Sequence, residues 1–159
     1  MVSPVTIFLD TSILVEYRKG TKTELLDALI DRQYQLCYNQ IVLSEYLFVV
    51  LAHYGQKSLR TLKMAYYIPQ LLDEHDFESL LKPLTFLELV DASVVSNTPR
   101  LMRTYNLLPN DAIIFSHCKS AGISYLASFD ATDFATSCRA EGITLIDSVE
   151  ALDLHFSVS

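Results

Sequence analysis

The chain reads as alternating blocks of apolar and polar positions. It opens with a β-branched and apolar run, residues 5–9, which stops at Asp10-Thr11-Ser12. Such a run predicts a short buried strand. Ser12 is placed to cap a short helix over residues 13–18, and Gly20 breaks it. Thr23 caps a second helix, Glu24–Asp31, and Gln35–Tyr38 forms a second strand. Asn39 caps a long, nearly all-apolar helix over residues 40–54, with Gly55 expected just past its end. Residues 58–74 predict another helix, kinked or broken near Pro69. Residues 84–90 make a third strand. Residues 91–105 are mostly helical, with Pro99 expected to restart the helix from its first turn. Asn110 or Asp111 opens a further helix that ends before Gly122. Residues 124–127 and 143–146 are the fourth and fifth strands, and Ser148 caps a last short helix.

Strands separated by helices predict an α/β fold, with a parallel sheet and helices on both faces. A length of 159 residues suits one domain over 1–159. Such sheets bind ligands beyond the C-terminal ends of their strands. Asp10 and Asp130 both fall just past predicted strand ends.

Composition narrows the class. Half of the residues are hydrophobic and 19% are charged, which supplies a dense core and argues against disorder. No run reaches the roughly 18 apolar residues of a membrane helix, and the N-terminus lacks the basic segment of a signal peptide. Cys37, Cys118 and Cys138 are odd in number and widely spaced, so they read as reduced, buried thiols of a cytoplasmic protein. The four histidines, His53, His75, His117 and His155, show no zinc spacing.

Four acids sit in apolar company: Asp10 in IFLDTSIL, Glu45 in IVLSEYLF, Asp111 in LLPNDAIIF and Asp130 in YLASFDATDF. Burying an ionised carboxylate is costly unless a cation or partner accompanies it. Gathered carboxylates repel one another, and a divalent cation relieves that repulsion. All-oxygen ligation favours Mg²⁺ or Mn²⁺. Each acid also has a plainer role open to it. Asp10 and Asp111 are placed to serve as helix caps or first-turn acids. Glu45 has Ile41 and Val49 one turn to either side, and an arginine partner or solvent would also satisfy it. Asp130 suits a turn. The net charge of −7 at first opposes a nucleic-acid ligand. With the four acids set aside it becomes −3, so contacts to RNA would depend on local basic patches.

The ordered pieces FLDTSIL, LSEYLF, NDAIIFSHCKSAG and LASFDATDF resemble the PIN domain, and within it the VapC-type ribonuclease toxins. The resemblance spans nearly the whole chain. It implies a three-layer α/β/α fold around a five-stranded parallel sheet of order 3-2-1-4-5. It also implies that Asp10, Glu45, Asp111 and Asp130 are the catalytic, metal-binding acids of a Mg²⁺- or Mn²⁺-dependent endoribonuclease. Ser12 and Ser128 match small polar positions that support these acids. The last motif departs from the usual D-x-D-F. Here it is D-A-T-D-F, so Asp130 or Asp133 supplies the outer carboxylate. The resemblance further implies cleavage to 5′-phosphate and 3′-hydroxyl ends, a homodimer, and an inhibitory antitoxin partner.

Arg18, Lys19 and Lys22 form the basic cluster nearest Asp10 and are candidate RNA contacts. Lys57, Arg60 and Lys63 are a second possible patch, or a solvated face. Tyr46, Phe48, Tyr54, Tyr66 and Tyr67 supply core, a dimer face or a partner groove. Two other functions compete: an RNA-maturation nuclease with the same chemistry, and a catalytically inactive scaffold that binds partners. A dehalogenase-type phosphatase would need D-x-D-x-T, and positions 12 and 14 are Ser and Leu. A receiver domain would need paired acids at the first strand, which are absent.

Overall fold

The computed structural model describes residues 4–88 and 91–156. Five strands form one parallel sheet in the order β3-β2-β1-β4-β5. They are β1 (Thr6–Leu9), β2 (Gln35–Tyr38), β3 (Thr85–Phe86), β4 (Tyr125–Ala127) and β5 (Thr144–Ile146). The three-layer α/β/α reading with order 3-2-1-4-5 therefore holds. Phe8 pairs with Cys37 on one side and Leu126 on the other, so β1 is central. Ile7, Phe8 and Leu9 are wholly buried, as expected for a strand covered on both faces.

Helices α1 (Thr11–Lys19) and α2 (Glu24–Asp31) connect β1 to β2. Asp10, not Ser12, occupies the N-cap of α1, and Gly20 closes it at φ 72°. Thr23 holds the N-cap position of α2, but its side chain makes no capping bond.

Helix α3 (Gln40–Gly55) begins at Asn39, whose side-chain oxygen accepts from the Ile41 and Val42 amides. With that oxygen engaged, the amide nitrogen faces the Nδ1 atom of His117 at 3.0 Å. His117 must then accept at Nδ1 and carry its proton on Nε2. Burial lowers its pKa, which keeps the ring neutral. This bond ties the start of α3 to α7 (Pro109–Ser120), the helix leading into β4.

Several boundaries differ from expectation. Gly55 is the last residue of α3, and Gln56 takes the left-handed position instead, at φ 52°. Gly55 is there for space: a Cβ would lie 2.6 Å from Leu62 and 3.1 Å from Leu71. The expected single helix over 58–74 is two, α4 (Leu59–Met64) and α5 (Ile68–Glu74). They part at Tyr66, which takes φ 54°, and Pro69 sits in the first turn of α5, where no amide is needed.

The third strand is two residues long, not seven; of the expected span, residues 89 and 90 lie outside the described residues. Pro99 lies inside one continuous helix, α6 (Ser93–Tyr105), and does not restart it. Helix α7 opens two residues earlier than Asp111, with Pro109 as its first residue and Leu108 at the N-cap.

A helix that the apolar pattern had not marked, α8 (Ala131–Glu141), joins β4 to β5. Only Phe134, Ser137 and Cys138 of it are buried. Ser148 caps α9 (Val149–His155) through the Ala151 amide. All three cysteines are free and buried, and burial pushes their thiols up, Cys37 and Cys138 to about 12. Among the described residues no helix is long and apolar enough to cross a membrane.

Candidate active site

In the order 3-2-1-4-5 the chain reverses its direction of travel across the sheet between β1 and β4. A crevice opens beyond the C-terminal ends of two strands at such a reversal. Here those ends are tied together: the Asp10 amide donates to the Ala127 carbonyl at 2.9 Å. A cleft of about 570 Å³ lies at this point, and Asp10, Glu45, Asp111 and Asp130 all line it. Four acids separated by as many as 120 positions in sequence therefore share one cavity.

Asp10 leaves the end of β1 and is 2% exposed. Its Oδ2 accepts from Ser12 Oγ at 2.7 Å and from Ser128 Oγ at 2.8 Å. The same two hydroxyls accept from the Phe129 and Asp130 amides, each at 3.0 Å. Ser12 and Ser128 thus join the β1–α1 turn to the β4–α8 turn through one carboxylate oxygen.

Glu45 projects from α3. Its Oε2 accepts from Thr11 Oγ1 at 2.6 Å and its Oε1 from Asn110 Nδ2 at 2.7 Å. Sequence reasoning missed both partners. Asn110 precedes Asp111 and Thr11 follows Asp10, so each acid motif carries a side chain that holds the third acid. Nothing in one sequence marks that pairing, because it depends on how α3 packs against α1 and α7. Glu16, Ser44, Phe48, Val15 and Val49 also line the cleft and were not anticipated there.

Asp111 lies in the first turn of α7, and Asp130 occupies the N-cap position of α8 without a capping bond. Of the acids with a capping role open to them, Asp10 uses it, accepting from the Ser12 amide. Asp133 lies in the first turn of α8, is exposed and does not line the cleft. Its charge still acts on Asp111 and Asp130.

The electrostatics record the crowding. Asp10 is raised from 3.8 to about 6, chiefly by burial, with Ser12 and Ser128 opposing and the Asp130 charge adding. Asp111 is raised to about 7 by burial, then by Asp10, Glu45, Asp133 and Asp130. Asp130 is exposed at the surface despite its apolar sequence context; partial desolvation and Asp133 raise its pKa, while its hydrogen bond with Asp10 and then the Lys22 charge oppose. Neighbouring like charges and desolvation act in the same direction.

The donor set is all oxygen and anionic, the chemistry that suits a hard dication such as Mg²⁺ or Mn²⁺. Among the described residues, however, no three carboxylate, imidazole or thiol groups stand close enough together to hold an ion as placed.

The basic cluster divides. Lys22 Nζ sits 4.8 Å over the Phe129 ring, and its charge reaches Asp130, but Lys22 does not itself line the cleft. Arg18 does not join the cleft wall, contrary to the idea of one continuous basic patch. Its guanidinium lies 5.5 Å over the Tyr54 ring, and its Nε is buried without a partner among the described residues. Lys19 makes no salt bridge among the described residues and does not line the cleft.

Comparison with known proteins accords with this geometry. Ribonuclease VapC6 of Methanocaldococcus jannaschii is 32% identical over 146 residues, covering 84% of this chain and 93% of that protein. Ribonuclease VapC2 of the same organism is 28% identical over 128 residues, covering 78% and 84%. The fold is shared with DNA-bound VapBC from Salmonella typhimurium, at a TM-score of 0.58 and 21% identity, covering 89% of this chain and 97% of that one. The PIN domain family model matches residues 7–148, nearly the whole of the sheet and its helices, and the chain belongs to the PIN domain family.

Proposed function

We propose that this PIN domain is a Mg²⁺- or Mn²⁺-dependent endoribonuclease and the toxin of a VapBC-like toxin–antitoxin pair. The observation that carries the reading is the convergence of Asp10, Glu45, Asp111 and Asp130 on one cleft at the sheet's reversal point. The names of the relatives VapC6 and VapC2 support RNA as substrate. The VapBC complex with the same fold supports a protein antitoxin as partner. A homodimer is part of the same proposal.

A bound dication would supply Lewis acidity at the phosphate and a more acidic water. Asp10 and Asp111 are the residues that would hold it, because they are the two whose charge is most costly without it. Ser12 and Ser128 fix Asp10 through its Oδ2. Thr11 and Asn110 fix both oxygens of Glu45, so its orientation is set before substrate arrives. Glu45 and Asp130 would hold water or further charge at the same phosphate. The resemblance to VapC-type ribonucleases implies 5′-phosphate and 3′-hydroxyl ends, in which water bonds to phosphorus, the P–O3′ bond breaks and the 3′ oxygen leaves with a proton.

The test is a cleavage assay with purified, antitoxin-free protein on a mixed RNA pool, with Mn²⁺, with EDTA, and with Asp10→Asn. Cleavage that needs the metal and Asp10 is the expected result. Absence of metal-dependent cleavage by the parent chain would leave a partner-binding scaffold as the better reading.

A further inference from the structure

Phe48 is 60% exposed on α3, whereas Tyr46, two residues earlier, is wholly buried. The ring lines the acidic cleft with Val15 and Val49, which gives that cleft one apolar wall. Phe48 follows Glu45 by three residues, about 4.5 Å further along the helix axis and on the same face. A nucleotide whose phosphate sits at the level of Glu45 therefore has an aromatic surface within reach of its base.

We propose that Phe48 is a substrate-positioning residue on which the base next to the cleaved phosphate stacks. The inference rests on the ribonuclease reading above. Charge favours it. The chain carries −7, Glu16 adds a fifth carboxylate to the cleft wall, and among the described residues no lysine or arginine lines it, so a polyanion gains little there beyond a bound cation. Stacking on a π-face needs no opposite charge and tolerates any base. It does require an unstacked base, so the strand is open at that nucleotide. Within this chain the exposed ring has no packing role, and a base at the cleft gives it one.

The chain contains no tryptophan, so Phe48→Trp places a single indole at the cleft. In an Asp10→Asn background, which prevents cutting, this variant is titrated with a single-stranded RNA oligonucleotide and with the same strand carrying abasic sites. Binding is followed by anisotropy of labelled RNA and stacking by indole emission. The intact strand is expected to quench the indole, and the abasic strand to bind more weakly with little quenching. In steady-state cleavage, Phe48→Ala is expected to raise KM by about tenfold to a hundredfold with kcat nearly unchanged, and Phe48→Tyr to behave as the parent. RNA binding without quenching, or a parental KM in Phe48→Ala, overturns the proposal while leaving the ribonuclease reading intact. If the Asp10→Asn protein binds no RNA, the KM comparison alone decides. A parent chain that cuts no RNA removes both readings together.

Discussion

Ser128 Oγ donates to Asp10 Oδ2 at 2.8 Å, joining the ends of β4 and β1 across 118 positions of sequence. Ser128 is wholly buried and Asp10 nearly so. Their bond, with the Ser12 bond, opposes the rise in the Asp10 pKa that burial causes. Removing the donor from a buried anion costs about 1–3 kcal/mol. Ser128→Ala is therefore expected to lower stability at pH 8 by about that amount and to move the acid limb of the activity profile to higher pH. Urea unfolding and a pH–rate profile measure the two effects. An unmoved acid limb would mean that Ser128 does not tune Asp10.

The raised acids make a signed prediction about stability. Burial raises Asp10 to about 6 in the folded chain, against 3.8 for a free aspartate. Between these values the folded state binds more protons than the unfolded one, so stability falls as pH rises from about 4 to about 6. Asp111, at about 7, carries the same trend to neutrality. The lowered pKa of His117 works in the opposite sense within part of that range. Asp76 and Glu141, both at about 2, contribute stability that is lost only below the ordinary carboxylate range. Asp10→Asn isolates the first effect, because the amide oxygen can still accept from Ser12 and Ser128. Without divalent metal it is expected to be more stable than the parent at pH 8, on the order of 2 kcal/mol, with the gap closing near pH 4. Mg²⁺ or Mn²⁺ should narrow the gap at pH 8 by stabilising the parent alone. Thermal melts at the two pH values, with and without EDTA, decide it, and equal stability at pH 8 contradicts the argument.

Gly55 offers a test that separates fold from site. Its missing side chain lets the Leu62 methyls approach to 2.6 and 2.7 Å of where a Cβ would stand. Gly55→Ala must push Leu62 and Leu71 aside, and overpacking of this kind costs about 1–3 kcal/mol. Glu45 and Phe48 lie two or more turns earlier on α3, so kcat at a temperature where the variant is folded should match the parent. Unchanged stability would show that the α3–α4 contact yields freely.

The positions easiest to read from sequence were those fixed by local rules. Asn39 predicted the start of α3, and its side chain does cap it. Asp10 and Asp130 followed from strand ends, and Glu45 from a charge among Ile41, Val49 and their neighbours. All four acids were identified as a set, partly from context and partly from resemblance. What escaped notice depends on tertiary packing. The αL residue at the end of α3 is Gln56 because Gly55 is consumed by the contact with Leu62. Pro99 stays within α6, against the local expectation of a restart. Helix α8 was missed because so few of its residues are buried that it shows little apolar period. Thr11 and Asn110 were missed for the same kind of reason, since their partner is on a third element. The basic cluster looked uniform in sequence, yet Arg18 turns to Tyr54 while Lys22 turns to Phe129.

That division gives the last prediction. Lys22 lies over Phe129, next to Asp130, and its charge opposes the rise in the Asp130 pKa. It does not line the cleft, but of the basic cluster it is the member whose charge reaches a cleft acid, and so the one expected to meet a phosphate there. Loss of one phosphate contact weakens binding across sequences and lowers the salt dependence of affinity by about one. Lys22→Ala is therefore expected to raise Kd for RNA several-fold at low salt and to flatten the plot of log Kd against log salt by about that slope. Arg18→Ala should act differently. Its stem and guanidinium pack on Tyr54, so its loss should reduce stability while leaving the slope unchanged. Lys19→Ala should change neither. Binding of a single-stranded RNA oligonucleotide across a salt series, with a melt for each variant, separates the three. Equal slopes for Lys22→Ala and the parent would mean that Lys22 serves only to hold Phe129 in place.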